Sequence, residues 1–185
     1  YFDVRQRKVC LLSATPAEPI LLYLNRLFVN RWTRIGPYNE PPESANLPLV
    51  ASLAPLELTI ASGNLIEWSE AHRHHLVEQI VKDQMDGALI SSSLATVNTV
   101  YGLLRPVLAE TSMGRITGPE PEAARQKATA RSLILATPTV DIGYNFVKLK
   151  KARQNIDFVV CDARYSDELL QRIGRAGRVL GKQET

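Results

Sequence analysis

Near the end of this 185-residue chain, Gln171-Arg172-Ile173-Gly174-Arg175-Ala176-Gly177-Arg178 spaces three arginines three residues apart, with a glycine before each of the last two. On a helix such residues stand about 300° apart in succession, so Arg172 and Arg175 are neighbours and Arg178 lies within reach. Guanidinium groups are permanently charged and fork onto phosphate oxygens, which is what a transferring phosphoryl group needs for its stabilisation. Gly174 and Gly177 are poor helix formers that remove side-chain bulk and let another surface approach the backbone. A basic surface helix is the plainer use of such a run, but a solvated face has little need of two glycines. The spacing therefore favours a phosphate grip.

Three further polar clusters follow short apolar runs. Ser13, Ala14 and Thr15 follow KVCLL (8–12), Ser91, Ser92 and Ser93 follow ALI, and ATPTVDIGYNF (136–146) follows SLIL. Taken singly, the serine clusters read as helix caps or solvated turns.

The elements that must position these clusters are legible from periodicity. KVCLL is a continuous apolar run suited to a strand buried on both faces, and Thr15-Pro16-Ala17-Glu18 has the form of a capping box before a helix through Ile20, Leu21, Leu24, Leu27 and Phe28. Residues 36–48 hold four of the 11 prolines and read as a linker. LELTIA (56–61) predicts a strand, and Ser69 a cap for a helix through Leu76, Val77, Ile80 and Val81. Strands are expected at 88–91, 114–117, 132–137 and 156–163, with helices through Val97, Val100, Tyr101 and Leu104, from Glu122 to Ala130, and after a cap at Ser166. There Asp167 and Glu168 suit the positive end of the helix dipole. Strands alternating with helices at this spacing predict an α/β fold with a parallel sheet, in which function collects at the carboxyl ends of the strands.

Composition sets the outer bounds. With 45% hydrophobic and 22% charged residues and no apolar run near the ~18 residues of a membrane span, the chain reads as a soluble, cytoplasmic globular protein without a secretory signal. Cys10 and Cys161 each lie in an apolar run with no nearby cysteine, which suggests two buried thiols. The net charge is only +3, yet residues 148–182 carry nine Lys/Arg against four acids, so the basic field gathers around the arginine motif. His72, His74 and His75 lack a further ligand at sensible spacing and read as a solvated helix face, with no metal site. Trp32 and Trp68 read as packing anchors; KLKKAR (148–153) suits a nucleic-acid backbone or a plain basic loop equally well.

LLSATP, SSSLATVN, LILATPTVDIGYNF and QRIGRAGR, in this order, resemble motifs III, IV, V and VI of superfamily 2 helicases. The TVDIGYNF form of motif V and RITGPEP before it look most like the helicase of type I CRISPR systems, the type I-D branch in particular. The resemblance implies a RecA-like P-loop NTPase fold. Residues 1–35 would be the end of a first RecA-like domain, 36–55 a linker and 56–185 most of a second domain.

It also implies roles. Arg175 and Arg178 would reach the γ-phosphate of ATP as arginine fingers, with Gln171 beside them in catalysis and Arg172 setting nucleotide and interdomain contacts. Asp141, Gly143 and Asn145 would lie near the nucleotide; Asn145 stands where many members carry an acid, so a ribose contact there is a neutral amide's. Thr137 and Ser91, Ser92 and Ser93 would touch a nucleic-acid strand, while Ser13, Ala14 and Thr15 would couple hydrolysis to strand movement.

The sequence holds no G-x-x-x-x-G-K-[ST] loop and no Asp-Glu pair after a strand, so the phosphate loop and Mg²⁺ ligands are expected on the first RecA-like domain. The implied activity is ATP-driven translocation on single-stranded DNA, with this chain inactive by itself. Implied partners are the first domain, a CRISPR surveillance complex and a nuclease, with no membrane. An RNA helicase, a DNA-repair translocase, or a binding module without ATPase activity are the competing readings.

Overall fold

A strand of four apolar residues is buried along its whole length when its sheet is covered on both faces, and GALI and LILA are two such strands. The computed structural model describes residues 18–29, 56–138 and 156–176. The chain divides into two compact units, Tyr1–Leu47 and Pro48–Thr185.

In the first unit the described residues form helix α1 (Glu18–Leu27), none of whose residues is buried. Ile20, Leu22, Tyr23 and Leu27 are exposed.

The second unit is an α/β fold built on one parallel sheet. Its described strands are β1 (Gly87–Ile90), β2 (Met113–Ile116), β3 (Leu133–Ala136) and β4 (Phe158–Cys161), in the order β2-β3-β1-β4. The register sets Gly87 opposite both Leu133 and Phe158, and Ile90 opposite both Ala136 and Cys161. The helices are α2 (Leu65–Ala71), α3 (Arg73–Val77), α4 (Leu94–Leu104), α5 (Glu122–Thr129) and α6 (Ser166–Ile173). A π-helical turn, Glu78–Lys82, continues α3.

Side chains alternate across a strand, so each face of the sheet has its own core. Leu89, Leu133 and Leu135 pack with Leu65, Leu76, Val97, Val100 and Leu104, beneath α2, α3 and α4. Ala88, Ile90, Ile116, Ile134 and Ala136 pack on the opposite face with Ala128 of α5. That second contact depends on Gly114, where a Cβ would stand 2.7 Å from the Ala128 side chain. Helices thus cover both faces, and α4 and α5 alternate sides as the chain passes β1, β2 and β3.

Several expectations change in detail. LELTIA is not a strand; residues 56–61 have no regular structure and are exposed, and among the described residues no strand pairs with them. Ser69 does not cap a helix but lies buried inside α2, whose cap is Asn64. Asn64 Oδ1 accepts from the backbone N–H groups of Ile66 and Glu67, both at 3.0 Å, and Glu67 Oε2 accepts from the Asn64 N–H, a complete capping box. Ser166 is the first residue of α6 and Tyr165 stands at its cap position without a side-chain bond. The strand at KVCLL and the cap at Thr15, like the linker, lie outside the described residues.

Candidate functional site

Because β1 and β4 are parallel neighbours, the residues that follow their carboxyl ends emerge side by side. These are Ser91 and Asp162. The Asp162 N–H donates to the Ile90 carbonyl at 3.3 Å, carrying the strand pairing one step beyond β4. Fully buried Ser91 donates its Oγ–H to Asp162 Oδ2 at 2.6 Å, and the Ser92 N–H donates to Asp162 Oδ1 at 3.2 Å. The same Ser91 Oγ accepts from the Ser93 N–H at 3.2 Å. Ser93 Oγ in turn accepts from the Thr96 N–H at 3.2 Å and caps α4. One carboxylate thereby shapes the whole serine turn.

Arg172 completes this arrangement from the other side. It lies on α6, one turn after Glu168, and its side chain is entirely buried. Its Nη2 donates to Ser92 Oγ at 2.9 Å, and its Nη1 donates to the Asp162 backbone carbonyl. Two carboxylates balance the buried charge: Asp162 Oδ1 is 3.6 Å from Nη1 and Glu168 Oε2 is 3.7 Å from Nη2. Glu168 also accepts from the Arg164 N–H at 3.1 Å, which ties the start of α6 to the same cluster. A buried guanidinium is tolerated when its donors are engaged and its charge compensated; here both Nη groups donate and two carboxylates lie within 3.7 Å.

The arginine motif does not run along one helix. Gly174 ends α6, its N–H bonded to the Leu170 carbonyl, and the chain continues as tight turns in which Arg175 N–H donates to Arg172 O and Ala176 N–H to Ile173 O, each at 3.0 Å. Glycine's low helix propensity accounts for that stop. Arg175 follows directly, 7% exposed, so its placement depends on the residue that fixes α6. Gln171 is exposed on the outer side of α6. Arg178 lies outside the described residues, as do Asp141, Gly143 and Asn145, and Ser13, Ala14 and Thr15. Thr137 follows β3, half-buried, with its N–H on the Ile116 carbonyl at 3.2 Å.

At the carboxyl end of β2 a second polar cluster shapes the RITGPEP turn. Glu120 Oε2 accepts from the N–H and Oγ1–H of Thr117 at 2.9 and 3.0 Å, and Glu120 Oε1 pairs with Arg115 Nε at 3.0 Å. Arg115 lies over the Tyr101 ring, 4.8 Å from its centre, and donates to Asn98 Oδ1. Trp68 stacks on His72 at 4.4 Å, and the His72 ring bonds the Trp68 carbonyl through Nδ1, so both rings are engaged locally. Among the described residues no group of three or more His, Cys, Asp or Glu side chains is placed to hold a metal ion. Nor is any described helix long and apolar enough to cross a membrane.

The arginines and serines were visible in the sequence as candidates; Asp162, which joins them, was not. It stands 71 residues from Ser91, and only the parallel pairing of β1 with β4 brings the two together. The available signal was an acid directly after a buried strand. Glu168, expected to serve the helix dipole, has the additional position one turn before Arg172 that an i,i+4 pair requires.

No family model and no curated protein matches this chain. A solved structure described as the C-terminal part of the Fun30 ATPase domain is similar to it, with a TM-score of 0.49 and 14% sequence identity. The similarity covers 68% of this chain and 41% of that one, so the match spans less than half of the solved structure.

Proposed function

We propose that this chain is part of an ATP-driven superfamily 2 helicase and supplies the arginine side of its nucleotide site together with part of its single-strand groove. The observation that carries the reading is the placement of Arg175. It follows a helix fixed at the carboxyl ends of two parallel strands, where an α/β sheet presents its ligand-facing loops, and stands in the sequence Gln171-Arg172-Ile173-Gly174-Arg175-Ala176-Gly177-Arg178.

In this reading Arg175 and Arg178 meet the γ-phosphate of ATP held by a first RecA-like domain, which also provides the phosphate loop and the Mg²⁺ ligands. Arginine suits that task because its charge is permanent and its fork matches two phosphate oxygens. Gln171 lies at the same helix end. Asp141, Gly143 and Asn145 approach the nucleotide, and Ser13, Ala14 and Thr15 transmit hydrolysis to the strand. Ser92, Ser93 and Thr137 face single-stranded DNA, while Ser91 holds the serine turn in shape. TVDIGYNF and RITGPEP support the finer assignment to the interference helicase of a type I CRISPR system, which would act on target DNA with a surveillance complex and a nuclease.

The test is alanine substitution in the intact protein that carries this chain. Arg175→Ala and Arg178→Ala should each lower ATP turnover by about a thousandfold, the scale of a lost arginine finger, while single-strand affinity stays within a few-fold. Equal loss of turnover and strand binding would mark a general basic surface and sink the proposal. Stimulation of turnover by DNA in preference to RNA of the same sequence separates the DNA translocase from an RNA helicase.

A further inference from the structure

The cluster at the ends of β1 and β4 does more than bury an arginine. Ser92 is exposed on the serine turn, yet its Oγ accepts from Arg172, whose side chain is buried. Asp162 receives Ser91 through one carboxylate oxygen and the Ser92 N–H through the other, and its backbone carbonyl receives Arg172. The serine turn, the end of β4 and α6 are thus joined by side chains whose polar atoms face one another. Arg175 is the third residue after Arg172 and bonded to it, N–H to carbonyl, at 3.0 Å. A displacement of the serine turn has a short route to Arg175, and that route passes through one buried fork.

We propose that Arg172 is a positioning residue: it makes the serine turn and the arginine segment one rigid unit, so that a strand bound at the turn sets the aim of Arg175. This rests on the functional reading given above. The assignment rests on contacts, since Arg175 is buried as well: the Arg172 guanidinium is engaged by Ser92 and by the Asp162 carbonyl, and so holds the serine turn to α6. It also explains why arginine stands there. A lysine offers a point charge on a flexible stem and cannot span Ser92 Oγ and the Asp162 carbonyl with two directed donors.

The experiment measures ATP turnover by the intact protein, with and without a saturating oligothymidylate, in wild type, Arg172→Lys, Ser92→Ala and Arg175→Ala. The readout is the ratio of stimulated to unstimulated turnover. A loss of folded or active protein lowers both rates equally and cancels from that ratio, whereas a broken link lowers the ratio itself. Arg172→Lys should reduce it by about fivefold or more, the scale of one lost charge-assisted hydrogen bond. Ser92→Ala, which leaves the buried charge and its carboxylates in place, should reduce it in the same direction when the oligothymidylate is saturating for that variant, so that weaker strand affinity does not enter, and it carries the test if the lysine variant does not fold. An unchanged ratio in the folded variants, with Arg175→Ala inactive, overturns the positioning role and leaves the functional reading standing. Wild-type turnover in Arg175→Ala overturns the functional reading first, and the positioning role with it.

Discussion

Gly87 on β1 lies under the ring of Phe158, its register partner on β4: a Cβ built on the glycine would stand 2.1 Å from the ring's Cζ. The ring occupies the space a side chain at 87 would need, and it belongs to the core shared with Leu89 and Leu135. Gly87→Ala must therefore displace either the ring or β4, and overpacking of this kind costs about 1 to 3 kcal/mol. Gly102 supplies the control. It lies in the body of α4, is exposed, and a Cβ there meets nothing within 4 Å. Gly102→Ala should stabilise by about 0.5 to 1 kcal/mol, because alanine loses less backbone freedom in a helix than glycine does. Urea unfolding of the two variants should move the midpoint in opposite directions; a Gly87→Ala variant as stable as wild type would contradict the packing.

Ser69 gives a prediction of the other sign. Its hydroxyl is buried within α2, and no hydrogen-bond partner for it occurs among the described residues. A buried polar group without a partner keeps its desolvation penalty, and serine is also a weaker helix former than alanine. Ser69→Ala should raise stability by about 1 kcal/mol, read as a higher urea midpoint with an unchanged slope. A lower midpoint would mean that the hydroxyl is satisfied.

The contrast between Ser69 and Ser91 shows how far the sequence could be read. Both are serines beside apolar residues, and capping or turn formation was the expectation for each. What decides between them is the third dimension. Ser69 is buried on α2, one turn after the core residue Leu65, while Ser91 meets a carboxylate 71 residues away. Strands β1 to β3 and helix α4 were legible because their apolar runs and 3.6-residue spacing report burial directly, while β4, half-buried throughout, was legible as an apolar run. LELTIA carried a period-two signal in place of a continuous run and failed as a strand, since alternation records the preference of a segment and pairing depends on a neighbour. The arginine motif was legible as chemistry but not as geometry: Gly174 ends α6 in its middle, which places Arg172 in the interior and Arg175 on the turn beyond.

Ser91 and Ser93 stand two residues apart, and the structure assigns them different work. Ser91 is buried, and its hydroxyl both donates to Asp162 and accepts from the Ser93 N–H. Ser91→Ala leaves that N–H without its acceptor and Asp162 without a short bond beside a buried guanidinium, so a loss of about 1 to 3 kcal/mol is expected. Ser93 is exposed and caps α4 through a single bond to the Thr96 N–H, a role whose removal costs about 1 kcal/mol. Affinity for a single strand should order differently from stability. Ser91→Ala, measured below its unfolding transition in the intact protein, should bind an oligothymidylate as wild type does, because its side chain never reaches the surface. Ser93→Ala, on the exposed side of the turn, should weaken binding. Binding loss in the Ser91 variant alone would reverse the assignment and place the strand at the buried hydroxyl.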